Sequence, residues 1–276
     1  MSRRMPVVLI QPRRGWSALN LRELWDYRDL LFILAARDVT LRYRQTVLGI
    51  IWVILQPLVA AIILTIIFGF FAHLPSDESP YLLFVFCGLL PWNLLTGALQ
   101  RAGNSLIGES GLISKVYFPR MILPLSRAVA VLIDFSVTLI FFFALMLIFR
   151  IAPTWRMLAL PFFLLLTLLT TFGVSLWLSA LSVYYRDFVH IVPFLIQIWM
   201  YASPVVYSIH LLPERWRLLA SFNPAFGFIE GFRWTLLASN SLTVEMVVLS
   251  LIAALGTFFS GAYVFRHMER GFADVI

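Results

Sequence analysis

Long runs of apolar residues without any charge dominate the pattern of this sequence. A helix of about 20 apolar residues crosses the hydrocarbon core of a membrane at about 1.5 Å per residue. Six stretches reach this length and predict six transmembrane helices, at residues 48–72, 81–100, 121–149, 157–183, 189–209 and 244–265. The third stretch contains Arg127 and Asp134, so we expect its membrane-spanning part to begin after residue 121. The pattern therefore predicts an all-α integral membrane protein.

An amphipathic pattern precedes the first span. Between Leu19 and Arg44, apolar side chains recur at helical spacing while most charged ones lie elsewhere; the apolar set is Leu24, Tyr27, Leu31 and Leu34. This pattern predicts an amphipathic helix that lies in the membrane interface. Its last residues alternate between apolar and polar types, so they fit a helix and an extended strand equally well.

The polar loop after the second span predicts a further short helix. Residues 108–120 read GESGLISKVYFPR and carry apolar side chains at helical intervals, namely Leu112, Ile113, Val116 and Tyr117. Pro119 closes the segment, because proline lacks the backbone N–H that a helix interior needs. We expect a short helix that projects from the membrane.

Two apolar pieces stand before the last span. Residues 210–243 contain LLPERWRLLAS and AFGFIEGFRWTLLA, separated by Asn223 and Pro224. Each piece is too short to cross a hydrocarbon core of about 30 Å. They predict a pair of re-entrant or interfacial helices, whose backbone must be buried by protein or line a cavity.

The composition supports a membrane protein, and the basic residues predict its orientation. The chain has 61% hydrophobic and 13% charged residues, whereas soluble domains have about 25% charged residues. Sixteen of the 21 basic residues fall in segments that share a side with the N-terminus. Since basic residues near span ends stay in the cytoplasm, we predict that both termini are cytoplasmic.

Motifs for catalysis are absent from the sequence. No GxxxxGK[ST] phosphate loop occurs, so any ATP dependence has to come from another subunit. The HExxH, GxSxG and CxxC motifs are also absent, so we predict neither an enzyme nor a metal site. Asp134 is the one acidic residue well inside a span, which gives proton coupling little support. It lies about 10.5 Å along a helix from Arg127, which disfavours a direct pair between them.

Four separated stretches of the chain resemble one family. They are RDVTLRYRQTVLGIIWVILQPL at 37–58, KVYFPRMILPLS at 115–126, YYRDFVHIVPFLIQIWMYASPVVYS at 184–208 and NPAFGFIEGFRWTLL at 223–237. Together they resemble the membrane subunits of type-2 ABC exporters of polysaccharides, most of all O-antigen permeases, with teichoic acid exporters close by. The resemblance covers about residues 30–268 and leaves 1–29 as a cytoplasmic N-terminal segment and 269–276 as a cytoplasmic tail.

The resemblance implies a homodimer of six-span subunits in the cytoplasmic (inner) membrane. It also implies two copies of a separate cytoplasmic ATPase that holds ATP and magnesium, so no cofactor is expected in this chain. The cargo would be a lipid-linked polysaccharide of the O-antigen type, with teichoic acid or capsular polysaccharide as the alternative and no nucleic acid partner. The amphipathic helix would be the interface helix, residues 108–120 the coupling helix on the ATPase, and residues 210–238 the outer gate.

Two sets of candidate site residues follow from these roles. The candidates for docking on the ATPase are Lys115, Tyr117, Phe118, Pro119 and Arg120. The candidates for the outer gate are Glu214, Arg215, Arg217, Glu230 and Arg233. We expect the gate residues at the outer water boundary or in a wet cavity, because charged side chains are costly in hydrocarbon.

The candidate substrate residues lie around the first and fifth spans. The basic residues before the first span either anchor its orientation or contact the phosphates of a lipid-linked substrate; they are Arg37, Arg42 and Arg44. On a helix from Gly49, the residues Gly49, Trp52 and Gln56 share one face, and the fifth span offers Gln197 and Tyr201. Aromatic and amide groups suit a sugar conduit, but helix interfaces in membranes favour the same residue types. Both interpretations stay open.

Two classes outside transport also remain open. A membrane-embedded transferase acting on lipid-linked sugars would need acidic or histidine groups that converge at one membrane face, and none cluster in the sequence. A non-transporting assembly subunit would have no need of a polar stripe through the membrane. An ATPase encoded beside this chain would separate both classes from the exporter.

Overall fold

The computed structural model describes residues 21–44, 49–76, 79–113 and 115–272. Over these ranges the chain forms helices joined by loops and contains no β-strand, which confirms the all-α class. The α-helices are α1 (Leu21–Asp26), α2 (Arg28–Tyr43), α3 (Ile51–Leu64), α4 (Tyr81–Ala102), α5 (Ser110–Ile113), α6 (Ile122–Ile148), α7 (Leu160–Tyr184), α8 (Phe188–Tyr201), α9 (Glu214–Ala220), α10 (Pro224–Leu236) and α11 (Val244–Glu269). Most of the predicted segment 1–29 and half of the predicted tail lie outside the described residues.

Five helical segments in this part of the chain are long and apolar enough to cross a membrane. They are Ile51–Phe71, Tyr81–Ala102, Ile122–Ile148, Trp155–Tyr184 and Val244–Glu269, and they match five of the six predicted spans. The first continues α3 through a π-helical stretch, Thr65–Phe71. α4 is the central helix, because α6, α7 and α10 pack around it and bury nearly its whole length.

The fifth predicted span, 189–209, is divided into two parts. α8 ends at Tyr201, eight residues before the predicted end. Its 14 residues rise only about 21 Å, less than a hydrocarbon core of about 30 Å. Residues 202–208 continue as irregular and mostly buried chain. Pro204 accounts for the break, since proline lacks an N–H and disfavours helical geometry in the residue before it.

The chain passes from one end of the bundle to the other over this stretch. At the end where α1 and the end of α11 meet, the Tyr184 hydroxyl donates a hydrogen bond to the carbonyl oxygen of Met268, 3.1 Å away. At the other end, the carbonyl oxygen of Val206 accepts one from Tyr81, the first residue of α4, at 2.7 Å. We call these the terminal end and the opposite end.

The terminal end has a hydrophobic core of its own. This core joins α2, the loop 103–121, the end of α7 and α11, and it contains Leu34, Leu106, Phe118, Met121, Val183, Phe265 and Phe272. Polar contacts reinforce it: Arg120 Nη1 donates to the carbonyl oxygen of Glu269 at 2.9 Å, and Arg266 lies 3.8 Å from Glu23. α2, the loop 103–121 and α11 therefore form one packed unit.

Glycines bring α7 and α11 into close contact. A Cβ atom at Gly173 would lie 2.5 Å from the carbonyl oxygen of Thr257, and one at Gly261 would overlap the carbonyl oxygen of Gly173. Small residues allow two membrane helices to approach until their backbones touch. This crossing fixes the last span against the fourth.

We expect Gly261→Ala to lower the thermal stability of the purified protein, because the new methyl group overlaps backbone that cannot rotate away. Overpacking of this kind costs about 1–3 kcal/mol. The matched control is Gly256→Ala on the same helix, where nothing lies within 4 Å of a Cβ atom. Circular dichroism during heating in detergent measures both variants. Equal melting temperatures would contradict the close crossing.

Candidate functional site

A network of ion pairs lies at the terminal end, where α2 packs on α6. The Asp134 carboxylate of α6 accepts hydrogen bonds from Arg42 and Tyr43 of α2, and its Oδ2 lies 3.2 Å from Arg101 Nη2 at the end of α4. Burial, followed by the neighbouring Asp134, raises the pKa of Tyr43 above its ordinary value, so this hydroxyl stays a donor. Asp134, which lies well inside a predicted span, thus has three partners on two other helices.

Glu109 and Asp38 form the other half of the network. The Glu109 carboxylate accepts from Arg37 of α2 and from Arg127 of α6, whose Nη2 lies 3.1 Å away. Arg127 also pairs with Asp38, whose side chain is 6% exposed. Arg127 therefore pairs with α2 and with the loop 103–121 and not with Asp134, in agreement with the helical distance between those two residues.

The three predicted headgroup arginines differ in their surroundings. Arg37 and Arg42 have carboxylate partners within the chain, whereas Arg44 is exposed at the end of α2. Glu109 and Arg101 were not predicted as site residues, because their partners lie 72 and 33 residues away in the sequence. Only the fold brings these charges together.

The predicted coupling helix is shorter than its pattern indicated. The loop is helical from Ile107 to Ile113 and irregular over residues 115–121, and Ser114 lies outside the described residues. Of its candidate residues, Lys115 and Tyr117 are exposed, Tyr117 at 67%, and Val116 between them is exposed as well. Of the other candidates, Phe118 belongs to the core of the terminal end, Pro119 is buried, and Arg120 binds the carbonyl oxygen of Glu269. They support the exposed tip and do not form part of it.

The candidate path residues all lie on α3, on α8 or just before α3. Gly49 adopts a left-handed φ of 48° and precedes α3, which begins at Ile51. The prediction that Gly49 shares a helical face with Trp52 and Gln56 is therefore wrong, because the helix starts after it. Trp52 and Tyr201 are exposed, and the amide side chains of Gln56 and Gln197 are exposed too.

The gate candidates separate into exposed and buried residues. The two short helices predicted before the last span are present as α9 and α10, and Glu214 begins α9. Arg215 is exposed, and Arg217 donates through Nε to the carbonyl oxygen of Leu212 at 2.8 Å. These two basic residues lie on the surface of the α9 region.

Glu230 and Arg233 are buried within the protein. Arg233 Nη1 lies 2.8 Å from Glu230 Oε1, and the second carboxylate oxygen of Glu230 accepts from Ser241. The expectation that these two charges face water is wrong. Each charge is neutralised by the other, so their burial costs far less than that of a lone ion.

A comparison with protein families identifies the class of this chain. Residues 29–237 match the family model described as ABC-2 type transporter. The match covers most of the chain and contains four of the five described helical segments that are long enough to cross a membrane. The chain belongs to this family of ABC transporter membrane subunits.

Curated relatives match over nearly their whole length. The chain is 26% identical to the O-antigen export system permease protein RfbA of Myxococcus xanthus, over 92% of this chain and 98% of that protein. It is also 26% identical to RfbA of Klebsiella pneumoniae, over 90% and 95% of the two chains. A weaker match, at 23% identity over 85% and 91%, is the polysialic acid transport protein KpsM of Escherichia coli.

We expect Asp134→Asn to lower the melting temperature, because it leaves Arg42 and Arg101 without their carboxylate partner. The loss of one partner from such a partly buried pair costs on the order of 2 kcal/mol. The matched control is Asp29→Asn, whose side chain is 81% exposed and lies 3.8 Å from Arg28, since exposed pairs contribute little. Heating in detergent compares the two. A control that melts as low as Asp134→Asn would contradict the role of the network.

Proposed function

We propose that this chain is the membrane subunit of an ATP-driven exporter that moves a lipid-linked polysaccharide of the O-antigen type. The observation that carries the proposal is the match to two O-antigen export permeases over at least 90% of both chains. A homodimer would work with two copies of a separate ATPase, which holds ATP and magnesium. The subunit would lie in the cytoplasmic membrane with both termini in the cytoplasm.

The distribution of charge supports this orientation. Basic side chains concentrate on the segments of the terminal end, which would face the cytoplasm. α8 together with residues 202–208 would form the fifth of six crossings. The α9 and α10 helices would then dip into the membrane from the opposite, outer side as the gate, with Arg215 and Arg217 at its water boundary.

The loop 103–121 would dock on the ATPase through its exposed tip. The tip residues Lys115, Val116 and Tyr117 combine a positive charge with two apolar side chains. This combination suits docking into a groove of the ATPase that is lined by acidic and apolar residues. Phe118 is buried behind the tip, so a force on Tyr117 would reach the terminal core directly.

The exposed surfaces of α3 and α8 would form the path. Trp52 and Tyr201 offer aromatic faces, and Gln56 and Gln197 offer amides that bind hydroxyl groups weakly enough to release them. Arg44 is the exposed arginine next to α3 and would contact the phosphates of the lipid carrier. Arg37 and Arg42 would hold α2 in place beside it through their ion pairs.

Deletion of the gene in its own host tests the function. We expect surface O-polysaccharide to disappear while lipid-linked polymer accumulates inside the cell, since polymer synthesis does not need export. Electrophoresis of surface polysaccharide and extraction of the intracellular polymer measure the two pools, and re-expression of the chain should restore export. An unchanged surface polysaccharide would refute the proposal.

A capsular polysaccharide is the second candidate cargo. It is supported by the relative that is a polysialic acid transport protein, at lower identity than the O-antigen permeases. The same deletion distinguishes the two, because loss of capsule with intact O-polysaccharide would assign the chain to capsule export.

We expect Tyr117→Asp to detach the ATPase, because the substitution places a carboxylate on the exposed tip without disturbing the core. The matched control is Val244→Asp, which puts the same charge on a residue that is 79% exposed at the opposite end. Co-purification of the ATPase with each variant is the measurement. Full recovery of the ATPase with Tyr117→Asp would rule out this docking surface.

A further inference from the structure

Residues 202–208 place irregular backbone inside the bundle. Ser203, Val205 and Val206 are buried, so their peptide groups have no access to water or to a membrane headgroup. A helix would satisfy these carbonyl groups internally, but α8 has already ended at Tyr201. Irregular backbone at this depth persists only when other groups of the protein satisfy it.

Side chains from α4 and α10 bind the carbonyl oxygens of this segment. Arg233 Nη2 donates to the carbonyl oxygen of Val205 at 2.8 Å, and its Nη1 reaches that of Tyr207 at 3.4 Å. The Tyr81 hydroxyl donates to the carbonyl oxygen of Val206 between them at 2.7 Å. Three consecutive carbonyl oxygens are thus held by two side chains.

Three neighbouring residues hold the guanidinium of Arg233 in this position. Its Cζ lies 3.5 Å from the centre of the Phe84 ring, and Glu230 balances its charge. Gly88 leaves the space that the group needs: a Cβ atom there would lie 2.9 Å from the Val205 oxygen and 3.0 Å from Arg233 Nη2. The Phe84 ring, the Glu230 carboxylate and the space beside Gly88 together orient the two Nη groups of Arg233 toward residues 202–208.

Asn223 binds the same region from the start of α10. Its Oδ1 accepts from Trp199 Nε1 of α8 at 2.8 Å, and its Nδ2 donates to Ser203 Oγ at 2.9 Å. The same Oδ1 accepts from Ala225 N and thereby caps α10. The end of α8 and the start of α10 therefore share one side chain.

We propose that Arg233 and Tyr81 are positioning residues for transport: their side chains hold residues 202–208 by three carbonyl oxygens and make α8 move as one body with α4 and α10. If the buried pair of Arg233 and Glu230 served stability alone, well-packed apolar side chains of similar volume would stabilise the protein equally well. Here the guanidinium also fixes the outer end of the helix that carries Gln197 and Tyr201. The export measurement described below rests on the proposed function, whereas the labelling measurement does not depend on it.

Cysteine labelling in the full complex, reconstituted in lipid nanodiscs, tests the positioning without transport. A cysteine at Val206, which is 4% exposed, reports the opening of the segment, and one at Tyr201, which is 58% exposed, is the control site. Native Cys87 is buried, and a sample without added cysteine corrects for it. We expect Tyr81→Phe to raise maleimide labelling at position 206 about fivefold, the factor for one lost hydrogen bond, and to leave position 201 unchanged.

Arg233→Lys is the stronger variant. It keeps the charge and the pair with Glu230, but a single ammonium group cannot reproduce a fork that reaches two carbonyl oxygens. We expect labelling at position 206 to rise more than with Tyr81→Phe. We also expect polysaccharide export per ATP hydrolysed to fall in both variants, while ATPase binding and basal hydrolysis stay at the wild-type level.

Each outcome decides the proposal. Wild-type labelling at position 206 in both variants would overturn it, and so would increased labelling with unchanged export. Should Arg233→Lys not fold, Tyr81→Phe decides alone, because it removes one hydroxyl from a half-buried residue. If the wild-type complex exports no polysaccharide, the proposed function fails, but the labelling result still stands.

Discussion

Every charge and every free carbonyl inside this bundle requires a partner within the protein, and this constraint determines how the helices are joined. An unpaired polar group in hydrocarbon costs several kcal/mol. Asp134 meets the constraint by binding Arg42, Tyr43 and Arg101 from two other helices. The irregular stretch 202–208 meets it by accepting from Tyr81 and Arg233. The requirement for partners therefore creates the polar junctions at both ends of the bundle.

The terminal junction connects the proposed docking surface to the membrane helices by two routes. The apolar route runs from Tyr117 through buried Phe118 into the core shared with α2, α7 and α11. The ionic route runs from Glu109 to Arg37 on α2 and to Arg127 on α6. Coupling between sites requires elements that are physically connected. A displacement of the loop is therefore transmitted to α2 by both routes, and to α6 through Arg127 for as long as the ionic route stays closed.

The sequence predicted the features that depend on local pattern and missed those that depend on distant partners. Five spans were predictable because each is a long apolar run, and α9 and α10 were predictable because Asn223-Pro224 divides two short ones. The end of α8 had one local signal, Pro204, but the path of residues 202–208 was not predictable, since it depends on donors from α4 and α10. The burial of Glu230 and Arg233 had one available signal, an acidic and a basic residue three positions apart in a helix that is otherwise mostly apolar.

The two polar junctions differ in a way that bears on where the protein moves. At the opposite end, Arg233 and Glu230 are 0% and 1% exposed and neutralise each other, so separating them would leave buried charges unpaired. At the terminal end, Arg37 and Arg42 remain 41% and 28% exposed, so water can replace a lost partner at lower cost. Ion pairs that water can replace can open and close during a transport cycle, whereas the enclosed pair favours movement as a rigid unit. The fold therefore places its exchangeable contacts beside the proposed ATPase docking surface and its permanent contacts beside the proposed outer gate.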